Sequence, residues 1–164
     1  MKIMGTGSRS MVTHKDRVAI YNNLEAEVLK LQQKYPNLQL ISGMAEGWDE
    51  AVAKVALRNS IPYTVMIPNL GYGSYYWGKN SLLKRDRMGT FNELITNATD
   101  IVYVCKYIYE NVDGVRTHAN FIRNQAMVDA CDGALVYDAT SSGTKDAVTR
   151  LIKAGKPYKM YPFK

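Results

Sequence analysis

Short apolar runs alternate along this chain with longer segments in which apolar residues recur at helical spacing. Val18, Leu24 and Val28 belong to such a pattern and predict a helix over residues 14–35. Similar patterns predict helices over residues 46–59, 84–97, 117–131 and 144–154. The β-rich apolar runs predict strands over residues 1–5, 38–42, 62–68, 101–105, 134–137 and 158–161.

Strands that alternate with helices are typical of βαβ units. The pattern therefore predicts an α/β fold, with a doubly wound, mainly parallel sheet of about six strands and helices on both faces. Two segments depart from it: a glycine-aromatic loop over residues 69–82, and an irregular stretch after residue 105 that runs through Asp113 and Gly114. No repeat or linker interrupts residues 1–164, so a single domain is expected.

Composition narrows the classes of protein that this chain can belong to. The formal net charge is +6, which favours an anionic partner without naming it. Cys105 and Cys131 have neither disulfide nor metal spacing. His14 and His118 lie in helical stretches without a spacing suited to metal ligation, so no metal is predicted. No apolar run is long enough for a membrane span and no signal peptide is recognised, so a cytoplasmic protein without a membrane partner is expected.

The turn after the first predicted strand is a candidate anion site. Gly5 and Gly7 would let the backbone approach a ligand, and the amides near Ser8, with the Arg9 guanidinium, would attract an anion. A tight strand-to-helix turn explains the same glycines about as well. Ser10 stands where a full dinucleotide fingerprint has its third glycine.

The turn after the second predicted strand carries glycines and carboxylates together. Its backbone could hold a ribose or phosphate, with Glu46 or Asp49 binding hydroxyl groups. Acidic residues at a helix start also act simply as caps. The candidate ligand-binding residues here are Ser42, Gly43, Ala45, Glu46 and Asp49.

A third turn opens the last predicted helix. It consists of Ser141, Ser142, Gly143 and Thr144, whose hydroxyl groups and amides suit a phosphate. Asp138 at the preceding strand end is a candidate for ribose. A serine N-cap alone would account for about half of this pattern.

These turns occur in a fixed order together with further motifs along nearly the whole chain. The set consists of residues 6–9, residues 42–49, residues 61–68, Trp77, residues 98–102, residues 123–129, Asp132-Gly133, Gly143-Thr144 and residues 155–157. Together they resemble the YpsA-like branch of the SLOG superfamily, which also includes the DprA core and the LOG phosphoribohydrolases.

The resemblance implies a Rossmann-like fold that binds nucleotides, nucleotide sugars or NAD-derived molecules. It adds Pro68, Trp77, Arg123 and Asn124 to the expected ligand-binding residues, and its DprA branch implies single-stranded DNA binding. The chain departs from the LOG pattern, since the position of the LOG glutamate falls on Ala147. Asp146 stands one residue early, which rotates a helical side chain by about 100°.

Three functions follow as hypotheses. The first is binding of a nucleotide or nucleotide-derived ligand (ribose-phosphate, NAD or ADP-ribose-like) as sensor or sink, with no further cofactor assigned. In it, the aromatic residues of the 69–82 segment close over a base, although packing or an oligomer contact would explain them equally. The second is a nucleotide-processing hydrolase of the phosphoribohydrolase or N-glycosidase type, with Glu46, Asp49 and Asp138 as candidate catalytic carboxylates. The third, less favoured, is binding of single-stranded nucleic acid. By analogy with SLOG proteins, a homo-oligomer is also expected.

Overall fold

A computed structural model describes residues 1–79 and 84–164 of the chain. Its main sheet has six strands: β1 (Lys2–Gly7), β2 (Gln39–Ser42), β3 (Tyr63–Asn69), β4 (Asp100–Cys105), β7 (Gly133–Tyr137) and β8 (Tyr158–Met160). A separate two-stranded hairpin consists of β5 (Tyr109–Val112) and β6 (Val115–His118). The helices are α1 (Arg17–Lys34), α2 (Trp48–Arg58), α3 (Tyr72–Tyr76), α4 (Lys84–Thr96), α5 (Ala119–Ala130) and α6 (Ser142–Lys153).

The main sheet is parallel throughout, in the order β4-β3-β2-β1-β7-β8. The chain builds the sheet outward from β1 to β4 and then returns to place β7 on the other side of β1. The strand order therefore reverses between β1 and β7, which is where open α/β sheets bind ligands. The predicted fold class and strand number are confirmed.

Side chains alternate between two apolar layers. Ile3 and Leu40 face a core built with α1, α2 and α4, whereas their neighbours Met4 and Ile41 face a second core built with α5 and α6. Because successive strand residues point to opposite faces, a strand buried on both sides is apolar at almost every position. This explains the short, continuous apolar runs in the sequence.

The structure corrects two of the predicted segments. Residues 109–118 form the β5–β6 hairpin instead of an irregular stretch, so the helix predicted from residue 117 begins at Ala119. The predicted glycine-aromatic loop contains the short helix α3, while its residues 80–82 lie outside the described part of the chain.

Smaller differences concern the ends of elements. β1 continues to Gly7, so the predicted turn over residues 5–9 begins only after that residue, and a single 3-10 helical segment (Arg9–Thr13) follows it. Within the described ranges, no helix combines the length and the apolar character needed to cross a bilayer.

Candidate functional site

A cleft of about 820 Å³ opens at the carboxyl ends of β1, β2 and β7, where the strand order reverses. All three turns singled out from the sequence contribute to it. The predicted ligand-binding residues that line the cleft are Gly7, Ser8, Arg9, Ala45, Asp49, Arg123, Asn124, Ser142, Gly143 and Thr144. These residues lie far apart in sequence, and the parallel topology brings them together.

The first turn offers an anion the cationic side chain of Arg9, whereas its amides at Ser8 and Ser10 are already bonded. The Ser8 amide donates to the Tyr137 carbonyl oxygen at 3.1 Å, and the Ser8 hydroxyl accepts from the Ser10 amide at 3.0 Å. Arg9 remains exposed, with its guanidinium carbon 5.3 Å from the centre of the Tyr76 ring. Gly7 is required because an added Cβ would lie 2.6 Å from Trp48.

The second turn places one carboxylate at the base of the cleft. Gly47, with a φ of +95°, brings the chain into α2, and Asp49 lies in the first turn of that helix with only 5% of its surface exposed. Burial raises the pKa of Asp49 to about 6, although the positive charge of Arg123 lowers it. Its Oδ1 atom is buried and has no hydrogen-bond partner within the described residues.

Arg123 and Asn124 of α5 connect the second turn to the third. The Arg123 guanidinium donates through Nη1 to the Gly43 carbonyl oxygen and through Nε to Asn124 Oδ1 at 3.3 Å. The Asn124 amide in turn donates to the Gly143 carbonyl oxygen at 3.1 Å and to Asp146 Oδ2 at 3.0 Å. The pair therefore fixes the relative positions of the two turns.

The third turn is a capped helix start that faces the cleft. Ser141 is the N-cap of α6, and its Oγ accepts from the Thr144 amide at 3.4 Å and bonds to the Thr144 hydroxyl at 2.8 Å. The first amides of a helix have no partner within the helix, and the helix dipole makes this end partly positive. Ser142 and Gly143 thus present a surface that suits an anion.

The remaining wall of the cleft comes from residues that sequence reasoning missed. The hairpin and the start of α5 contribute Tyr109, Val115, Arg116, Thr117, His118, Asn120 and Phe121. Thr6 and Ser141, which belong to the first and third predicted turns, complete the lining. The Arg116 guanidinium lies 4.0 Å from the centre of the Tyr109 ring, and the His118 ring meets the same ring edge-on at 5.1 Å. Burial and the charge of Arg123 lower the pKa of His118.

A sequence signal for this wall did exist. Asp113-Gly114 is a two-residue hairpin turn, and both residues have positive φ values, 49° and 80°. That combination is the type I′ turn that Asp-Gly favours.

Several predicted residues lie outside the cleft. Glu46 accepts from the Gly78 amide at 2.9 Å and from Arg87 at 3.0 Å, and Asp138 accepts from Ser10 and Thr140 hydroxyl groups. Trp77 is fully buried, and its indole nitrogen donates to the Met44 carbonyl oxygen at 2.7 Å. The residues that do not line the cleft are Gly5, Ser42, Gly43, Glu46, Pro68, Trp77 and Asp138. Asp49 is therefore the one candidate catalytic carboxylate that the structure brings to the cleft.

A smaller cleft of about 320 Å³ lies between the segment after β1, α1 and α2. Its buried acid, Glu50, already pairs with Arg87 and with Lys54 at 2.7 Å. Because this acid is already paired and the cleft lies away from the strand ends, it is the weaker candidate site. No group of three or more potential metal ligands occurs within residues 1–79 and 84–164.

The fold resembles that of known structures. DNA processing protein A (DprA) from Streptococcus pneumoniae superposes with a TM-score of 0.64 at 18% identity, over 97% of this chain and 49% of that one. DprA from Helicobacter pylori, in a structure concerned with its single-stranded DNA binding mode, gives 0.63 at 14% identity, over 98% of this chain and 64% of that one. No protein-family model matches the sequence, and no curated protein matches it either.

The chain thus has a Rossmann-like α/β fold similar to that of DprA, and it spans between about half and two thirds of those proteins. The similarity concerns the fold. What binds in the cleft has to be argued from its own residues.

Proposed function

We propose that the cleft binds a nucleotide or nucleotide-derived ligand, with its phosphate at the start of α6. The observation that carries this proposal is the composition of the cleft lining. The Ser142 and Gly143 turn and the Arg9 side chain suit an anion, and Tyr109 and Phe121 contribute flat aromatic rings. A nucleotide combines the same two features, an anionic phosphate and a flat aromatic base.

The charges near the cleft fit an anionic ligand. Arg9, Arg116 and Arg123 all line it, against Asp49 as the single acid within residues 1–79 and 84–164. Positive charge in a recessed site raises the local concentration of anions and strengthens their binding. The proposal agrees with the resemblance to the YpsA-like branch of the SLOG superfamily, whose members are expected to bind such ligands.

Calorimetric titration with AMP, ADP, NAD and ADP-ribose tests the proposal. We expect at least one of them to bind, and Ser142→Asp to weaken that binding at least about tenfold because it places a carboxylate at the phosphate position. Thr149→Asp is the matched control, since Thr149 is exposed on the same helix and does not line the cleft. Heats equal to those of buffer for all four ligands would overturn the proposal.

Single-stranded DNA is the second candidate, and the similarity to DprA favours it over a free nucleotide. The net charge of +6 and the exposed aromatic residues Tyr107 and Tyr109 beside the cleft also suit a nucleic-acid strand. A labelled oligonucleotide should then bind at low salt and lose affinity steeply between about 50 and 200 mM salt. An oligonucleotide that stays unbound at the lowest salt would eliminate this candidate.

Hydrolysis of an N-glycosidic bond has less support. That chemistry commonly uses two carboxylates on opposite sides of the scissile bond. Among the described residues Asp49 is the only acid that lines the cleft. Binding is therefore proposed ahead of turnover.

A further inference from the structure

Asp49 is a buried acid that the protein leaves without a full set of partners. It lines the cleft while 5% of its surface is exposed, and its Oδ1 atom has no hydrogen-bond partner within the described residues. A buried, unsatisfied carboxylate oxygen is costly, and native proteins rarely retain one without a use. The missing partner is a hydrogen-bond donor.

The cation with the largest effect on Asp49 is already engaged. Arg123 donates to the Gly43 carbonyl oxygen and to Asn124 Oδ1, so its guanidinium holds the backbone and its neighbour. Its charge nevertheless lowers the pKa of Asp49, against the effect of burial. The carboxylate thus remains available to a donor that enters the cleft from outside.

The position of Asp49 selects which part of a nucleotide can meet it. A phosphate is excluded, because its oxygen atoms are acceptors and carry the same sign of charge. Asp49 Oδ2 lies 2.8 Å from the position that a Cβ on Gly43 would occupy, which places the carboxylate at the turn after β2. The aromatic rings of Tyr109 and Phe121 line the cleft from other elements, the hairpin and α5. In a nucleotide the sugar lies between phosphate and base, so the donor that meets Asp49 is a sugar hydroxyl group.

From this arrangement we infer that Asp49 accepts a hydrogen bond from a ribose hydroxyl and makes the cleft selective for nucleotides that carry that hydroxyl group. The inference rests on the proposed nucleotide site and specifies its sugar. Hydrogen bonds to charged groups are strong enough that loss of the hydroxyl should weaken binding about tenfold or more.

The test compares AMP, 2′-deoxy-AMP and 3′-deoxy-AMP by calorimetric titration on four proteins. On the wild type we expect AMP to bind at least about tenfold more tightly than one of the two deoxy analogues. On Asp49→Ala the three affinities should agree within about twofold, and Asp49→Asn, which keeps the shape and one acceptor oxygen, should retain part of the difference. Glu50→Gln is the matched control, because Glu50 is equally buried in the same helical turn but bonds to Arg87 and Lys54 on the other side. It should discriminate as the wild type does.

The possible outcomes distinguish this inference from the proposed nucleotide site on which it rests. Equal binding of all three ligands by the wild type would overturn the ribose assignment and leave the nucleotide site intact. Undiminished discrimination by a folded Asp49→Ala would assign the selectivity to another residue and also overturn it. If none of the three binds, and ADP, NAD and ADP-ribose also fail to bind, both the inference and the proposed site are overturned. Selectivity for the 2′-hydroxyl group would in turn count against single-stranded DNA as the ligand, since DNA lacks that group.

Discussion

At the scale of single residues, Asp49 should make folding depend on pH. Burial raises its pKa from 3.8 to about 6, so the folded protein keeps a proton that the unfolded chain has released. Stability therefore falls as the pH rises between these two values, by up to roughly 3 kcal/mol for a shift of this size. We expect Asp49→Asn to match the wild type near pH 4 and to exceed it in free energy of unfolding near pH 7, measured by urea titration.

Glu50 should contribute a pH dependence of stability with the opposite sign. Burial alone would raise the pKa of Glu50, but Arg87 and Lys54 lower it below its ordinary value. Its ionised form therefore stabilises the fold at neutral pH, and this contribution is lost as the pH falls through the folded-state pKa. Glu50→Gln should be less stable than the wild type near pH 7, with the difference shrinking toward acid. Differences that are independent of pH in both variants would contradict this account of the two acids.

Gly43 shows how a residue outside the cleft can still determine its shape. A Cβ at this position would lie 2.5 Å from Arg123 Nη1 and 2.8 Å from Asp49 Oδ2, closer than these atoms can approach. Gly43→Ala should therefore cost about 1–3 kcal/mol of stability and displace two side chains that line the cleft. Urea titration and AMP titration measure the two effects.

Gly89→Ala serves as the control for that substitution. An added Cβ there meets no atom within 4 Å, and Gly89 lies inside α4, where alanine is the better helix former. It should leave ligand binding unchanged and raise the stability slightly. A Gly43→Ala protein that behaves like Gly89→Ala would show that the second turn tolerates displacement.

At the scale of elements, the sequence predicted the strands and helices whose burial leaves a periodic pattern of apolar residues. The core strands and the long helices were found because each buries a face or a stripe, which leaves a repeating apolar pattern. The hairpin was missed because its short strands bury little and its residues Val112 and Val115 are exposed. α3 was missed because its stability depends on distant contacts, such as the packing of Gly73 against Phe91, which no local pattern reveals.

The same limits apply to the candidate site. The turns at the strand ends could be predicted, since a parallel sheet gathers them at one edge. Which side chains in a turn point into the cleft depends on three-dimensional details, and here Asp49 faces it while Glu46 binds Arg87.

The hairpin can be shortened without disturbing the sheet. Residues 111–116 can be replaced by Asn-Gly, so that the paired residues Glu110 and Thr117 are joined by a two-residue type I′ turn. This removes Val115 and Arg116 from the cleft wall while His118 remains as the N-cap of α5. We expect the free energy of unfolding to change by less than about 1 kcal/mol, because the removed residues are exposed.

Shortening the hairpin should lower nucleotide affinity, although it leaves stability nearly unchanged. Removing one cationic and one apolar group from the wall should weaken binding of AMP, and Arg116→Ala alone should show how much of the loss is due to the charge. A shortened hairpin that binds AMP as tightly as the wild type would show that this wall does not contact the ligand.

At the scale of the whole molecule, the two apolar cores share the strands that separate them. Ile3 and Leu40 belong to one core, and the adjacent residues Met4 and Ile41 belong to the other. Neither layer of helices can detach without exposing one face of the same sheet to water. If the chain is a single domain, both layers of helices should therefore unfold together in one cooperative transition.

The chain carries a separate reporter in each layer, which makes cooperativity measurable. Trp48 is buried in the core with α1 and α2, as is Trp77, whereas Cys131 is buried in the core with α5 and α6. In a Cys105→Ser variant, which leaves Cys131 as the one thiol of the chain, tryptophan fluorescence and thiol reactivity should follow the same urea transition with equal midpoints and slopes. If the thiol became reactive at lower urea than the fluorescence change, the α5–α6 layer would unfold first and the chain would consist of two cooperative units. Because Arg123 and Asn124 belong to α5, such early unfolding would also dismantle the cleft before the rest of the fold, and nucleotide should then protect the thiol selectively.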